Sequence, residues 1–136
     1  MVGIVVVSHS EKLAHEVIEL CNEMKKYDFP VINGSGTEGG NLGSDPMRIK
    51  DAIEKAYTDE GVLIFCDIGS SILNSEMAME FLDESYDRAK VKIADAPPTF
   101  DISNIVILLK MSAGFISAIF GNSASIFSKP LARFTP

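Results

Sequence analysis

Two stretches in the first half of this chain carry no polar side chain at all, Ile4-Val5-Val6-Val7 and Val62-Leu63-Ile64-Phe65-Cys66. Short, wholly apolar, β-branched runs of this kind predict strands buried on both faces of a parallel sheet. The first run stops on Ser8-His9-Ser10 and the second on Asp67. Ser10 then reads as the N-cap of a helix, with Glu11 placing negative charge in its first turn. Leu13, Val17, Leu20, Cys21 and Met24 recur at helical spacing and predict one apolar stripe, and Lys25-Lys26 suit the carboxyl end of the helix dipole. Phe29 to Ile32 predicts a short strand, which Pro30 assigns to a sheet edge.

Between Gly34 and Gly43 the pattern gives way to a loop with glycines at 34, 36, 39, 40 and 43. Ser44-Asp45-Pro46 starts a second helix, a cap followed by proline in the first turn. Met47, Ala52, Ile53 and Ala56 supply its weaker apolar face, and Gly61 ends the connection. Beyond Asp67, Gly69-Ser70-Ser71 predicts a turn into a helix running from about Ile72 to Leu82, and Val91 to Ala94 predicts a fourth strand that stops on Asp95. Strands alternating with helices imply a single α/β domain over residues 1–136, with a parallel sheet, right-handed crossovers and helices on both faces. The expected strand order is 2-1-3-4.

After Pro98 the character changes. All but one of the 19 acidic residues lie at or before Asp95. Ile105 to Leu109 predicts a further strand and Gly114 to Ile119 a short helix, while residues 116–128 show no clear period.

Composition narrows the function classes. Apolar residues at 46% and charged residues at 23% describe an ordinary globular chain. A net charge of −7 argues against nucleic acid as a partner, because phosphate backbones need clustered Lys and Arg. The start of the chain lacks a signal peptide's charged n-region and cleavage site, and no apolar run reaches the ~20 residues of a membrane span. A cytoplasmic protein is the expectation, with Cys21 and Cys66 as free thiols among apolar neighbours.

In the order 2-1-3-4 the first and third strands are neighbours, so His9 and Asp67 end side by side at the carboxyl edge of the sheet. A carboxylate that accepts the proton of one imidazole nitrogen fixes the tautomer and leaves a lone pair on the other. Such a pair suits a nucleophilic histidine or a general base. Ser10, the glycine loop with Gly43, and the helix start at Gly69, Ser70 and Ser71 offer hydroxyl and N–H donors of the sort that bind phosphate. A phosphohistidine intermediate fits both features. His15 reads as an exposed helical residue, Asn74 and Glu76 as helix surface, and Asp95 as a loop-orienting or site residue. A receiver-like domain phosphorylated on Asp67 would need carboxylates beside Ser8 and Ser10 to hold Mg²⁺, and there are none. Dinucleotide and Walker fingerprints are missing. A hydrolase using His9 as base, or a non-catalytic interaction domain, remains open on these residues alone.

Gly3-Ile4-Val5-Val6-Val7-Ser8-His9-Ser10, Leu42-Gly43-Ser44, Asp67-Ile68-Gly69-Ser70-Ser71 with Asn74-Ser75-Glu76, and Ala94-Asp95-Ala96-Pro97 together resemble a known family. It is the phosphocarrier subunit of the phosphotransferase-dependent dihydroxyacetone kinase. That subunit belongs to the mannose-type enzyme IIA group of the phosphoenolpyruvate:sugar phosphotransferase system. The resemblance covers about residues 1–97 and departs at Pro98-Thr99-Phe100-Asp101. It implies that His9 accepts phosphate from the histidine-containing phosphocarrier protein, supported by Asp67. The phosphate would pass to ADP on the nucleotide-binding subunit of the kinase, with Mg-ADP bound there and no metal or cofactor held by this chain. It implies a homodimer as well. A mannose-type enzyme IIA feeding a sugar permease is the alternative within the same group, and Ser70-Ser71 with Asn74 and Glu76 favour the kinase branch.

Overall fold

A computed structural model describes residues 1–94. Its elements alternate: β1 (Gly3–Val7), α1 (Glu11–Met24), β2 (Val31–Asn33), α2 (Pro46–Ala56), β3 (Val62–Cys66), α3 (Gly69–Glu80) and β4 (Val91–Ile93), the last preceded by a short 3-10 turn at Arg88–Lys90. All pairings are parallel, as the alternation predicts, and the strand order is β2-β1-β3-β4, as expected of a doubly wound sheet. Asp95 and the elements expected near residues 105–109 and 114–119 lie outside the described residues.

The two apolar runs become the central strands, and every residue of β1 and β3 is buried. Because side chains alternate across a strand, β1 feeds two separate cores. Ile4 and Val6 pack with Leu63 and Phe65 under α1, where Ala14, Val17, Ile18 and Cys21 meet them. Val5 and Val7 pack with Val62, Ile64 and Cys66 under α2 and α3, against Ile49, Ala52, Ile53, Ala56 and Ala78. Burying a side chain of this size is worth about 1.5–3 kcal/mol, so these two layers dominate the stability of the fold. The helices approach closely. A Cβ at Gly3 would lie 1.8 Å from the Ala56 carbonyl oxygen at the end of α2.

Helix faces differ from the sequence expectation at a few positions. In α1 the buried stripe is Ala14, Val17, Ile18 and Cys21, whereas Leu13 and Leu20 are 45% and 46% exposed. In α2 it is Ile49, Ala52, Ile53 and Ala56, and Met47 is exposed. Both stripes follow i, i+3, i+4, i+7 and include small alanines that let the helix axis sit near the sheet. In α1 periodicity favoured Leu13 and Leu20, each one position before a buried residue, whereas Val17 and Cys21, and Ala52, Ile53 and Ala56 in α2, are buried as expected.

Other boundaries shift by a few residues. β2 begins at Val31 rather than Phe29, because Pro30 has no N–H to give, although its carbonyl still accepts from Ile4 N–H at 2.9 Å. It is an edge strand, as expected. β4 ends at Ile93, one residue early, with Ala94 N–H still donating to Ile64 O. The predicted turn at Gly69-Ser70-Ser71 is the first turn of α3 itself, which starts three residues early and ends at Glu80. Ile68 stands at its N-cap with no side-chain cap, so the usual sequence signal for a helix start is missing.

Candidate functional site

Register alone delivers the two central residues to one place. Val7 pairs with Cys66, so the next residue of each strand, Ser8 and Asp67, leaves the sheet edge side by side. The Asp67 N–H still donates to Val7 O at 3.2 Å, which carries the ladder one residue past the strands. His9 follows Ser8, and its ring turns back over Asp67 with Nδ1 3.1 Å from Oδ1. The His9 backbone N–H donates to Oδ2 at 2.9 Å. Asp67 thus grips the histidine by ring and main chain together.

The carboxylate is saturated with donors. Oδ1 accepts from Ser71 Oγ at 2.8 Å and from Ile68 N–H at 2.8 Å, besides facing the ring. Oδ2 accepts from Ser8 Oγ at 3.0 Å and from His9 N–H. Burial would push the Asp67 carboxyl up, but hydrogen bonds from His9 N–H, Ser71, the His9 ring and Ile68 N–H outweigh it and hold it at about 2. It is therefore ionised at neutral pH. In a neutral ring the nitrogen that faces a carboxylate must carry the proton, since opposed lone pairs repel. The proton is on Nδ1 and the free lone pair on Nε2. Ser70 Oγ lies 2.6 Å from Nε2 and donates to that lone pair.

The remaining expected site residues surround this pair with differing roles. Ser10 caps α1, its Oγ accepting from Leu13 N–H at 3.2 Å, while its own N–H donates to Ser8 Oγ at 3.1 Å. Gly43 has φ +136° and gives its N–H to the His9 carbonyl at 2.8 Å, so it fixes the backbone of the histidine rather than pointing at Nε2. Ser71 is buried, with its N–H on Ile68 O and its hydroxyl turned inward to Asp67 and His9 Nδ1. Gly69 and Ser70 are exposed and open α3 with no capping side chain, and a Cβ at Gly69 would meet nothing within 4 Å. That space lies at the mouth of the site. His15 is exposed on α1 and Glu76 on α3, and neither bonds to the His9–Asp67 pair.

The glycine loop is tied down rather than free. Gly36 N–H donates to Ser8 O at 3.3 Å, and Asn74 Nδ2 reaches from α3 to Ser44 Oγ at 2.6 Å. Arg48 bonds the Thr37 carbonyl and Glu11, each at 2.7 Å, and so joins α2, the loop and α1. Sequence reasoning missed Ser8, whose buried hydroxyl reaches Asp67 Oδ2. The register of β1 on β3 was the signal that could have found it. Cys21 and Cys66 are free and buried, and burial pushes the Cys66 thiol up to about 11, which leaves it inert. Among the described residues, no three or more His, Cys, Asp or Glu side chains gather as a metal site. No helix among them is long and apolar enough to cross a membrane.

Residues 3–100 match the family model described as PTS system fructose IIA component. The chain is 41% identical over 97 residues to phosphoryl donor subunit DhaM of PEP-dependent dihydroxyacetone kinase 2 of Listeria innocua, covering 71% of this chain and 77% of that protein. It is 35% identical over 100 residues to the DhaM subunit of Klebsiella michiganensis and 34% identical over 100 residues to that of Escherichia coli, and it spans 21% of the length of each. A solved structure, that of the unknown-function protein EF1359, superposes with a TM-score of 0.67 at 31% identity over 90% of this chain and 95% of that one.

Proposed function

The chain belongs to the mannose-type enzyme IIA family, whose model is described as PTS system fructose IIA component, and on that premise we propose that it is a phosphoryl carrier acting through Nε2 of His9. The observation that carries the reading is the pairing of an ionised Asp67 with His9 Nδ1, which leaves Nε2 turned toward the uncapped start of α3. The Nε2 lone pair forms the new bond to phosphorus as the bond from phosphorus to the donor's nitrogen breaks, and that electron pair stays with the donor. No proton has to leave Nδ1. The phosphorylated ring gains positive charge directly opposite Asp67, which favours it. The Ser70 hydroxyl and the Gly69 and Ser70 N–H groups are the donors suited to the phosphoryl oxygens. Ser10, Gly43 and Ser71 support His9 and Asp67 from behind.

The names of the Listeria, Klebsiella and Escherichia relatives as phosphoryl donor subunits support a place in a dihydroxyacetone kinase. In the proposed relay the histidine-containing phosphocarrier protein loads His9, and His9 delivers to ADP on the nucleotide-binding subunit, where Mg²⁺ accompanies the nucleotide. The protein works in the cytoplasm as a homodimer, each subunit contributing an enzyme IIA-like domain. The test is sequential. Phosphorylated phosphocarrier is mixed with this protein, label is followed onto it, and the nucleotide-binding subunit loaded with Mg-ADP is then added. The proposal expects label on this chain first and on nucleotide second. Label that stays on the chain in the second step would remove the kinase assignment while leaving the carrier chemistry intact.

A further inference from the structure

Four polar side chains are buried among the described residues, and all four are serines: Ser8, Ser35, Ser71 and Ser75. They belong to one connected cluster. Ser35 Oγ accepts the Ser8 N–H at 2.8 Å, Ser8 Oγ reaches Asp67, Ser71 Oγ reaches Asp67 and His9, and Ser75 Oγ donates to Ser71 O at 2.7 Å. Burying a hydroxyl is unfavourable unless it is bonded, and alanine would fill such a site without that requirement. The position of Ser71 within the cluster is distinctive, because its oxygen bridges the carboxylate and the ring.

A serine has one proton to give. Asp67 is ionised and can only accept, and Ser71 Oγ lies 2.8 Å from Oδ1 but 3.1 Å from His9 Nδ1. Were the Ser71 proton aimed at Nδ1, serine lone pairs would face Oδ1 at the shorter distance, which is repulsive. The proton therefore goes to Asp67, and the ring nitrogen meets only lone pairs. We propose that Ser71 is a positioning residue that acts on the His9 tautomer through Asp67: its buried hydroxyl donates to Oδ1, holding that oxygen against the ring, and presents an acceptor to Nδ1, so that the ring proton is held there and Nε2 is kept bare. Ser70 acts in the same sense from the other side, as a donor at Nε2.

The tautomer itself is a property of the free protein, whereas its kinetic consequence rests on the phosphocarrier reading. The experiment reads both. Ring ¹⁵N shifts of His9 are recorded in the unphosphorylated wild type, Ser71→Ala, the near-isosteric Ser71→Cys, and Ser71→Thr, which restores a hydroxyl. Exposed His15 serves as the internal reference. The wild type and Ser71→Thr should show Nδ1–H alone, and the Ala and Cys variants, whose Asp67 carboxylate is free to turn away from the ring, a mixture of tautomers. Maximal rates of phosphate acceptance in Ala and Cys should fall about 10- to 100-fold, by analogy with the loss of a hydrogen-bond partner behind a metal-ligating histidine. Half-saturation by the donor should stay constant. An unchanged Nδ1–H tautomer in folded Ala or Cys variants would overturn the assignment. If the wild type takes no phosphate on His9, the carrier reading fails and the ¹⁵N spectra alone decide the role of Ser71.

Discussion

His9 can be removed with little cost to the fold, because its ring stands at a strand end, partly exposed and outside both cores. His9→Gln should therefore fold normally and take up no phosphate, as measured by label incorporation beside a thermal melt. Asp67→Asn should slow uptake without abolishing it. The amide cannot oppose the charge that develops on the ring, and the equivalent change in protease triads costs ~10⁴ in rate, an upper guide here. Asp67 has a pH signature of its own. Its folded carboxyl is held at about 2, below its ordinary value of 3.8. The stability it contributes, about 2 kcal/mol, is fully present above pH ~4 and is lost as the pH falls toward 2. Acid unfolding of Asp67→Asn should lack that component, and a midpoint in acid that matches the wild type would contradict the bonding described for Asp67. At this scale the sequence was informative about His9 and Asp67, since Asp67 directly follows one apolar run and His9 lies one residue beyond the end of the other. The inward turn of Ser71 and the part played by Ser8 were hidden, because a serine's partners depend on register and rotamer, which composition does not encode.

The elements were legible to the extent that their cues were local. β1 and β3 announce themselves as unbroken β-branched runs, and α2 by Asp45-Pro46, where the Asp45 carboxylate does accept from Met47 N–H at 2.8 Å. α3 was read late because Ile68 offers no cap, and on α1 the small Ala14 was passed over for its larger neighbour Leu13, although Val17 and Cys21, and Ala52, Ile53 and Ala56 on α2, are buried as expected. Helix-to-sheet distance is decided by such small residues, and Gly3 is the sharpest instance. A methyl group there would overlap the Ala56 carbonyl, which is backbone and cannot swing aside. Gly3→Ala should lower stability by about 1–3 kcal/mol, the usual cost of overpacking, by pushing α2 off the sheet. Denaturant titration checks it, and a change within about 0.5 kcal/mol would show that α2 sits farther from β1 than described.

For the whole molecule, the order β2-β1-β3-β4 is what turns two residues 58 positions apart into a bonded pair. That order was expected from the doubly wound arrangement of such alternating chains, so the location of the site was legible before its geometry was. The donors gathered there are hydroxyls and N–H groups, with a single carboxylate already committed to the ring, which is a poor set for a hard dication. Loading of His9 from a phosphorylated, magnesium-free phosphocarrier should therefore proceed at an unchanged rate in excess chelator, and a loss of loading restored by Mg²⁺ would favour chemistry at Asp67 instead. The most direct test of the central claim is to identify the phosphorylated atom. The protein is charged with phosphoenolpyruvate, enzyme I and the phosphocarrier protein, and its bound phosphate is located by ³¹P and ¹⁵N spectroscopy and by its stability in acid and base. The account predicts phosphate on Nε2 of His9, labile in acid and stable in base, and absent from His9→Gln. Phosphate on Asp67, on Nδ1, or undiminished in His9→Gln would contradict it.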